Sequence, residues 1–285
     1  MDDAGFAWSL VAGGSGGIGA AVARELARRR KALVLVGRDS DRLAAVVDDC
    51  LALGASVVKV LAVDIRDRIA IEHHIATLMS EAPIESLIVC AGVLEGRCDG
   101  EVVEGRDPAR VVLEVNLLAT VDLVYLVLPH MIDRAHGTIV LVSSLAAMVP
   151  LPDAPSYSAS KAGLLFFGSA LRESLRGRGI RVSTVCPGYV ETPMTERHMG
   201  PQPGRLAAED VAEAILRCLK SNREMVALPF FIGWLARFSL MVPPRIRALI
   251  MGPLRFYVAR REHPHHMVVA GVGGDTEGKS TNSTF

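Results

Sequence analysis

The chain has 285 residues, half of them hydrophobic, and its 31 Lys plus Arg balance 31 Asp plus Glu. That length suits one large α/β domain with a substantial core and falls short of two full domains with a linker. Zero net charge removes the global basic field on which a nucleic-acid-binding reading would rest.

Apolar runs of strand type alternate with segments of helical period along most of the chain. Trp8–Ala12 reads as a buried strand, followed by a helix over 17–31. A strand over 32–36 and a helix over 40–53 come next, then a strand over 56–62, a helix over 67–80 and a strand over 86–90. One long helix is expected over 107–134, then a strand over 138–142, a helix over 156–176 and a strand over 181–186. Strands that are apolar throughout are buried on both faces, so the alternation predicts a doubly wound parallel sheet. Residues 191–205 are rich in Pro, Gly, Met and Thr and read as a loop with short helices at most. A helix over Ala208–Lys220 and a last strand over Met225–Leu228 close the regular part.

The five cysteines are widely spaced and form no C-x-x-C pair, which argues against a disulfide framework or zinc site and for a reducing, cytoplasmic setting. Met1-Asp2-Asp3 lacks the basic lead of a secretory signal. The nearest approach to a spanning segment, 225–244, is interrupted by Arg237 and several prolines, so no transmembrane helix is expected.

The first strand runs into Ala12-Gly13-Gly14-Ser15-Gly16-Gly17-Ile18-Gly19 and a helix follows directly. Such a turn presents backbone N–H groups and a positive helix end to a pyrophosphate, so this loop predicts dinucleotide binding. The second strand ends in Gly37-Arg38-Asp39. An acid at that strand end would bind the ribose of NAD, whereas an arginine accommodates the 2′-phosphate of NADP. Arg38 favours NADP(H), while Asp39 keeps NAD(H) open.

Tyr157 and Lys161 stand at i and i+4, stacked on one face of a helix. A nearby ammonium favours the phenolate and would bring the tyrosine toward working pH as a general acid/base. The chain holds few lysines, which raises the interest of this one.

Fold order, glycine loop and Tyr-x-x-x-Lys together resemble the short-chain dehydrogenase/reductase superfamily, in its short single-domain branch, over about residues 6 to 230. The resemblance implies a Rossmann-like α/β fold. It implies a catalytic set of Asn116, Ser144, Tyr157 and Lys161, with Ser144 rather than Ser143 at the family's serine position. By the same resemblance Asp64 and the Ile65 backbone meet adenine, Cys90-Ala91-Gly92 line the cofactor, and Pro187-Gly188-Tyr189-Val190-Glu191-Thr192 pack on nicotinamide, with Val190 and Thr192 at the carboxamide. With Gly13, Ser15, Gly16, Gly17, Ile18, Gly19 and Arg38, these form the expected cofactor site. The implied reaction interconverts a small-molecule ketone or aldehyde and an alcohol by hydride transfer, in a homodimer or homotetramer built on the long helices near Asn116 and Tyr157. Three positions depart from the family pattern: Ala12 replaces the usual Thr, and Val89 and Cys90 replace two amides that tie strand four to strand one. Gly16 also stands where NADP-preferring members often carry a basic residue. The extended-branch epimerases fit less well, since Gly13, Gly17 and Gly19 give G-x-x-x-G-x-G. A non-catalytic dinucleotide sensor is disfavoured by the presence of Tyr, Lys and Ser.

The catalytic domain is expected over residues 1–229, an apolar Arg-rich extension over 230–262 and a flexible tail over 263–285. Residues 225–261 hold six arginines, six large aromatics and no acid. They read as a cap over the cleft or a subunit contact, with contact to anionic membrane as the lesser alternative. The loop 194–205, with Met194, His198 and Met199, reads as a substrate lid that leans toward a hydrophobic or acyl-bearing substrate. Gly273 to Ser280 matches a phosphate-loop pattern but leaves too few residues for the helix it needs. The Asn282 glycosylation triplet and the cluster His263, His265 and His266 are read as incidental, and no metal is expected.

Overall fold

The computed structural model describes residues 6–238 and 241–260. The histidine cluster, the phosphate-loop pattern, the Asn282 triplet and the tail over 263–285 lie outside the described residues.

Nine strands and nine α-helices are described: β1 (Trp8–Ala12), α1 (Gly17–Arg28), β2 (Ala32–Gly37), α2 (Ser40–Ala52), β3 (Val57–Ala62), α3 (Arg68–Glu81), β4 (Ile84–Val89), α4 (Arg106–Leu113), α5 (Ala119–Asp133), β5 (Gly137–Val142), α6 (Pro155–Ser174), β6 (Ile180–Pro187), β7 (His198–Met199), α7 (Ala208–Lys220), β8 (Met225–Leu228), α8 (Phe230–Arg237), α9 (Pro244–Met251) and β9 (Tyr257–Val258). Seven strands form one parallel sheet in the order β3-β2-β1-β4-β5-β6-β8. The chain thus lays strands outward from β1 to one side and then returns to continue from β4 on the other. At that reversal the carboxyl ends of β1 and β4 leave a crevice.

Alternate strand residues feed two cores. Leu10, Val34, Leu87, Ile139 and Val182 point to the layer of α3, α5 and α6. Val11, Leu35, Ile88, Val140 and Val185 point to the layer of α1, α2 and α7. This period of two, with apolar residues on both sides, is the reason the central strands read as unbroken apolar runs. Asp39 and Asp67 cap α2 and α3 by accepting hydrogen bonds from the backbone N–H of Arg42 and Ala70, both at 3.0 Å.

The expected helix over 107–134 is divided. A π-helical turn over Glu114–Leu118 separates α4 from α5, and such insertions recur at functional sites. The run Arg106–Asp133 is also long and apolar enough to cross a bilayer by length and composition, although half of its apolar window packs inside the protein. Sequence pattern points to 225–244 as the nearest such segment, because six charges in 106–133, at Arg106, Asp107, Arg110, Glu114, Asp122 and Asp133, mask the apolar stretch. In the loop expected over 191–205, β7 pairs antiparallel with β9. That pairing has no local signal, since its two strands are two residues each and nearly 60 positions apart.

Candidate active site

Nearly all the residues singled out above converge on one cleft of about 420 Å³ at the β1/β4 crevice. Gly13, with φ 84°, turns the chain out of β1, and a Cβ there would stand 2.6 Å from the Ala91 nitrogen. A Cβ on Gly19 would collide with the Gly13 carbonyl. The loop is therefore folded tightly against both its own helix and the end of β4, and its N–H groups border the cleft with Ser15, Gly16, Gly17 and Ile18. Cys90 N donates to Ala12 O at 2.8 Å. With Ala12, Val89 and Cys90 the upper link between β1 and β4 is backbone only, and the side-chain link lies lower, where Ser86 donates to Ser9 at 3.0 Å in the buried sheet.

At the end of β2, Arg38 lines the cleft, and so does Arg42 from the first turn of α2. The Arg42 guanidinium occupies the space a Cβ on Gly16 would need. Arg42 was not singled out in the sequence. The signal was there, since Arg42 follows Arg38 by four residues and a cap at Asp39 turns it back over the strand end. Asp39 itself is engaged in that cap. Asp64 and Ile65 line the cleft beyond β3, and Asp64 accepts a bidentate bond from Arg66, with Arg38 at 3.7 Å. The Arg66 bond holds the Asp64 carboxyl below its ordinary pKa.

Asn116 sits fully buried in the π turn, accepting from Val93 N at 2.7 Å and donating to Val93 O at 3.0 Å and Ser160 Oγ at 3.2 Å. A Cβ on Gly92 would lie 3.2 Å from the Asn116 Oδ1 and 3.4 Å from the Lys161 ammonium, so Gly92 passes close to both. Lys161 lines the cleft itself, and Asn116 stands behind its wall. Ser143 donates to Lys161 O at 2.7 Å and is thereby committed to holding α6. Ser144 accepts from Ala146 N at 3.1 Å and hydrogen-bonds the Tyr157 hydroxyl.

Tyr157 and Lys161 both face the cleft. Burial raises the Tyr157 pKa, with the Ser144 bond opposing it. Burial lowers Lys161 to about 8. Its Nζ donates to Val142 O at 3.0 Å and lies 5.8 Å from the Tyr157 ring centroid, over the ring rather than at the hydroxyl. The expected pull of the ammonium on the phenol is therefore not what dominates here; desolvation does. Lys161 has three donors and one protein acceptor among the described residues, so a buried ammonium keeps capacity toward the cleft. Pro187, Gly188, Val190 and Thr192 line the far wall, where Thr195 Oγ1 donates to Val190 O at 2.5 Å.

The opposite wall is built around His198, which the sequence places in a lid loop, and around charged residues that sequence reasoning passed over. Asp153, almost fully buried, receives Arg97 at 2.5 Å, Arg255 at 2.7 Å and the Phe256 N–H at 3.1 Å. Burial would raise its pKa, but the bonds from Arg255, Arg97 and Phe256 outweigh it and hold the carboxyl below its usual value. Arg197 pairs with Glu95 at 2.8 Å and donates to Ala259 O at 2.9 Å. His198 stacks on Phe256 with centroids 4.1 Å apart and meets the Tyr189 ring edge-on at 5.0 Å. Residues 255–260 thus lie against the loop that carries Met194.

A sheet reversed at this point, with a tight glycine turn on one lip and a Ser–Tyr–Lys group on the other, defines an oxidoreductase that uses a nicotinamide dinucleotide. The chain belongs to the short chain dehydrogenase family, whose model matches residues 7–201. It is 31% identical to an uncharacterized oxidoreductase of Myxococcus xanthus, over 92% of this chain and 99% of that protein. It is 34% identical to the ketoacyl reductase HetN of Nostoc, over 75% of each. Its fold matches an actinorhodin polyketide ketoreductase solved with NADPH, with a TM-score of 0.71 and 25% identity, over 80% of this chain and 97% of that one.

Proposed function

We propose that the protein is an NADP(H)-dependent ketone reductase, acting in reverse as an alcohol dehydrogenase, on 3-oxoacyl-type substrates, with Tyr157 as its general acid/base. The observation that carries the cofactor preference is the pair Arg38 and Arg42 at the end of β2. Together with Ser15 they offer two guanidiniums and a hydroxyl where a 2′-phosphate would lie. Arg42 supplies from α2 the positive charge that Gly16 lacks. Asp39, the residue on which an NAD preference would rest, is committed to capping α2.

Bound, the nicotinamide supplies the hydride donor or acceptor. The chain's own residues do the rest. Ser144 and Tyr157 form a pair of hydroxyls that can hold one carbonyl oxygen, and Tyr157, kept protonated by burial, gives that oxygen its proton. Lys161 would direct its remaining donors to the ribose hydroxyls of a bound cofactor, and it keeps positive charge beside the tyrosine. Asn116 fixes the Val93 backbone and Ser160, and so positions α6 against β4. Pro187, Gly188, Val190 and Thr192 would hold the nicotinamide, and the segment carrying Met194 and Tyr189 would exclude water. The ketoacyl and polyketide substrates in the relatives' names, together with the apolar lining from Leu94, Val115 and Met194, favour an acyl-bearing ketone. Leu118, Tyr125 and Phe166, large and exposed on the π turn, α5 and α6, are the proposed subunit contact. Sedimentation equilibrium of the purified chain checks it.

Fluorescence titration with NADPH and NADH tests the cofactor reading. The wild type prefers NADPH, and Arg38→Ala and Arg42→Ala each weaken NADPH by about tenfold or more while leaving NADH unchanged. Equal affinities in the wild type overturn it. Tyr157→Phe lowers turnover by about a thousandfold with NADPH binding intact; unchanged turnover removes Tyr157 from the mechanism.

A further inference from the structure

Helix α8 is built the wrong way round for a helix covering a core. Phe230 and Phe231 are 80% and 73% exposed, Trp234 and Leu235 55% and 59%, and Phe238 just beyond the helix 44%. At about 100° per residue these five positions fall within an arc of about 140°. The opposite side carries the small residues Gly233 and Ala236, which are buried against β8. The seating is close, since a Cβ on Gly233 would collide with Ala227. The outward aromatic face is therefore fixed by packing beneath it. Met241, ahead of α9, and Ile246 and Leu249 on it are also at least half exposed. An outward aromatic face such as that of α8 marks an interaction site.

We infer that α8 and α9 form a docking surface for an anionic lipid bilayer. Charge selects the partner. Residues 225–261 contain no acid, and neither Arg237 nor Arg245, both exposed, has an ion-pair partner among the described residues. A symmetric contact with a second copy would bring these arginines together across a patch with nothing to neutralise them. A bilayer surface bearing anionic headgroups neutralises them while its acyl boundary takes the aromatics. Beside the docking surface, Pro244 and Ala248 of α9 wall an open apolar groove of about 690 Å³ with Met148, Leu151, Ala159 and Ala162. An acyl chain leaving the bilayer would meet this groove first.

Co-sedimentation of the full chain with vesicles tests the inference. Equimolar phosphatidylcholine and phosphatidylglycerol vesicles pellet the protein and phosphatidylcholine alone does not, with binding weakened by salt. Only two tryptophans are present, and Trp8 is fully buried, so a shift of emission to shorter wavelength on binding reports Trp234. Phe231→Glu lowers partitioning by about tenfold or more, and Arg237→Gln by about fivefold, with unchanged circular dichroism. Absence of binding to the anionic vesicles, or binding unaffected by Phe231→Glu, overturns the inference. If Phe231→Glu instead lowers the oligomer size of a protein that ignores vesicles, the face belongs to a second copy.

Discussion

The two lips of the cleft keep their shape by different means. On the cofactor lip the tolerances are set by backbone: Gly13 against Ala91 and Gly19 against Gly13 leave no room for a methyl group. On the opposite lip, proposed to face the substrate, the chain is held by charge, with Arg97 and Arg255 on Asp153 and Arg197 on Glu95. A backbone cradle suits a ligand whose pyrophosphate is always the same. Ion pairs between segments over 100 positions apart can be re-cut by exchange of a few side chains, which suits the side that distinguishes one substrate from another.

Breaking the cofactor lip has the largest expected effect. Gly19→Ala forces the glycine loop off the end of β4 at a cost of about 3 kcal/mol, about a hundredfold in NADPH affinity by fluorescence titration. If affinity holds, the loop is looser than the contacts require. On the other lip, Asp153→Asn leaves two guanidiniums without their carboxylate. It lowers stability by about 3 kcal/mol in denaturant titration, a figure from the low end because Arg255 is half exposed. It raises KM while NADPH affinity stays as in the wild type. A fall in both would show that the lips are not independent. The depressed carboxyl pKa gives this contribution a sign. It is present in full above the unfolded value of about 3.9 and is lost as pH falls through the lower folded value, so the difference between wild type and variant closes under acid.

The same contrast explains what could be read from sequence. The β1–α1 turn and the seven strands lie in regular elements with local pattern, and Tyr157 and Lys161 share a helix face by spacing alone, whereas Asn116 and Ser144, at a π turn and just beyond β5, were reached only through the family resemblance. Arg42 was hidden because a helical arginine in a first turn looks like any solvated residue until Asp39 is seen to cap there. Asp153, Arg97 and Arg255 were hidden because nothing local pairs residues so far apart. The π turn at Asn116 has no period of its own in a run that otherwise reads as α-helix. In α8 the pattern was legible as apolar and arginine-rich, but which face is outward depends on Gly233 meeting Ala227, a tertiary contact.

Lys161 stands where the lips meet, and its replacement gives the smallest effect on stability and the one with the sharpest pH dependence. Burial lowers its pKa from 10.5 to about 8. Below pH 8 both folded and unfolded chains hold the proton, and the folded one carries a desolvated ammonium. Between about 8 and 10.5 the unfolded chain binds more protons, so wild-type stability rises with pH across that window. A shift of this size corresponds to about 3 kcal/mol. Lys161→Met removes that cost and also removes the bond to Val142 O, worth about 1 kcal/mol. The variant is therefore more stable than the wild type by about 2 kcal/mol at pH 7 in the absence of cofactor. Its advantage disappears as pH approaches 10.5, and it shows no turnover. NADPH reverses the order at pH 7, because ribose hydroxyls give the ammonium the partners the protein withholds. A less stable variant at pH 7 would mean that the ammonium is already satisfied without the cofactor, and that the site is not strained in wait for it.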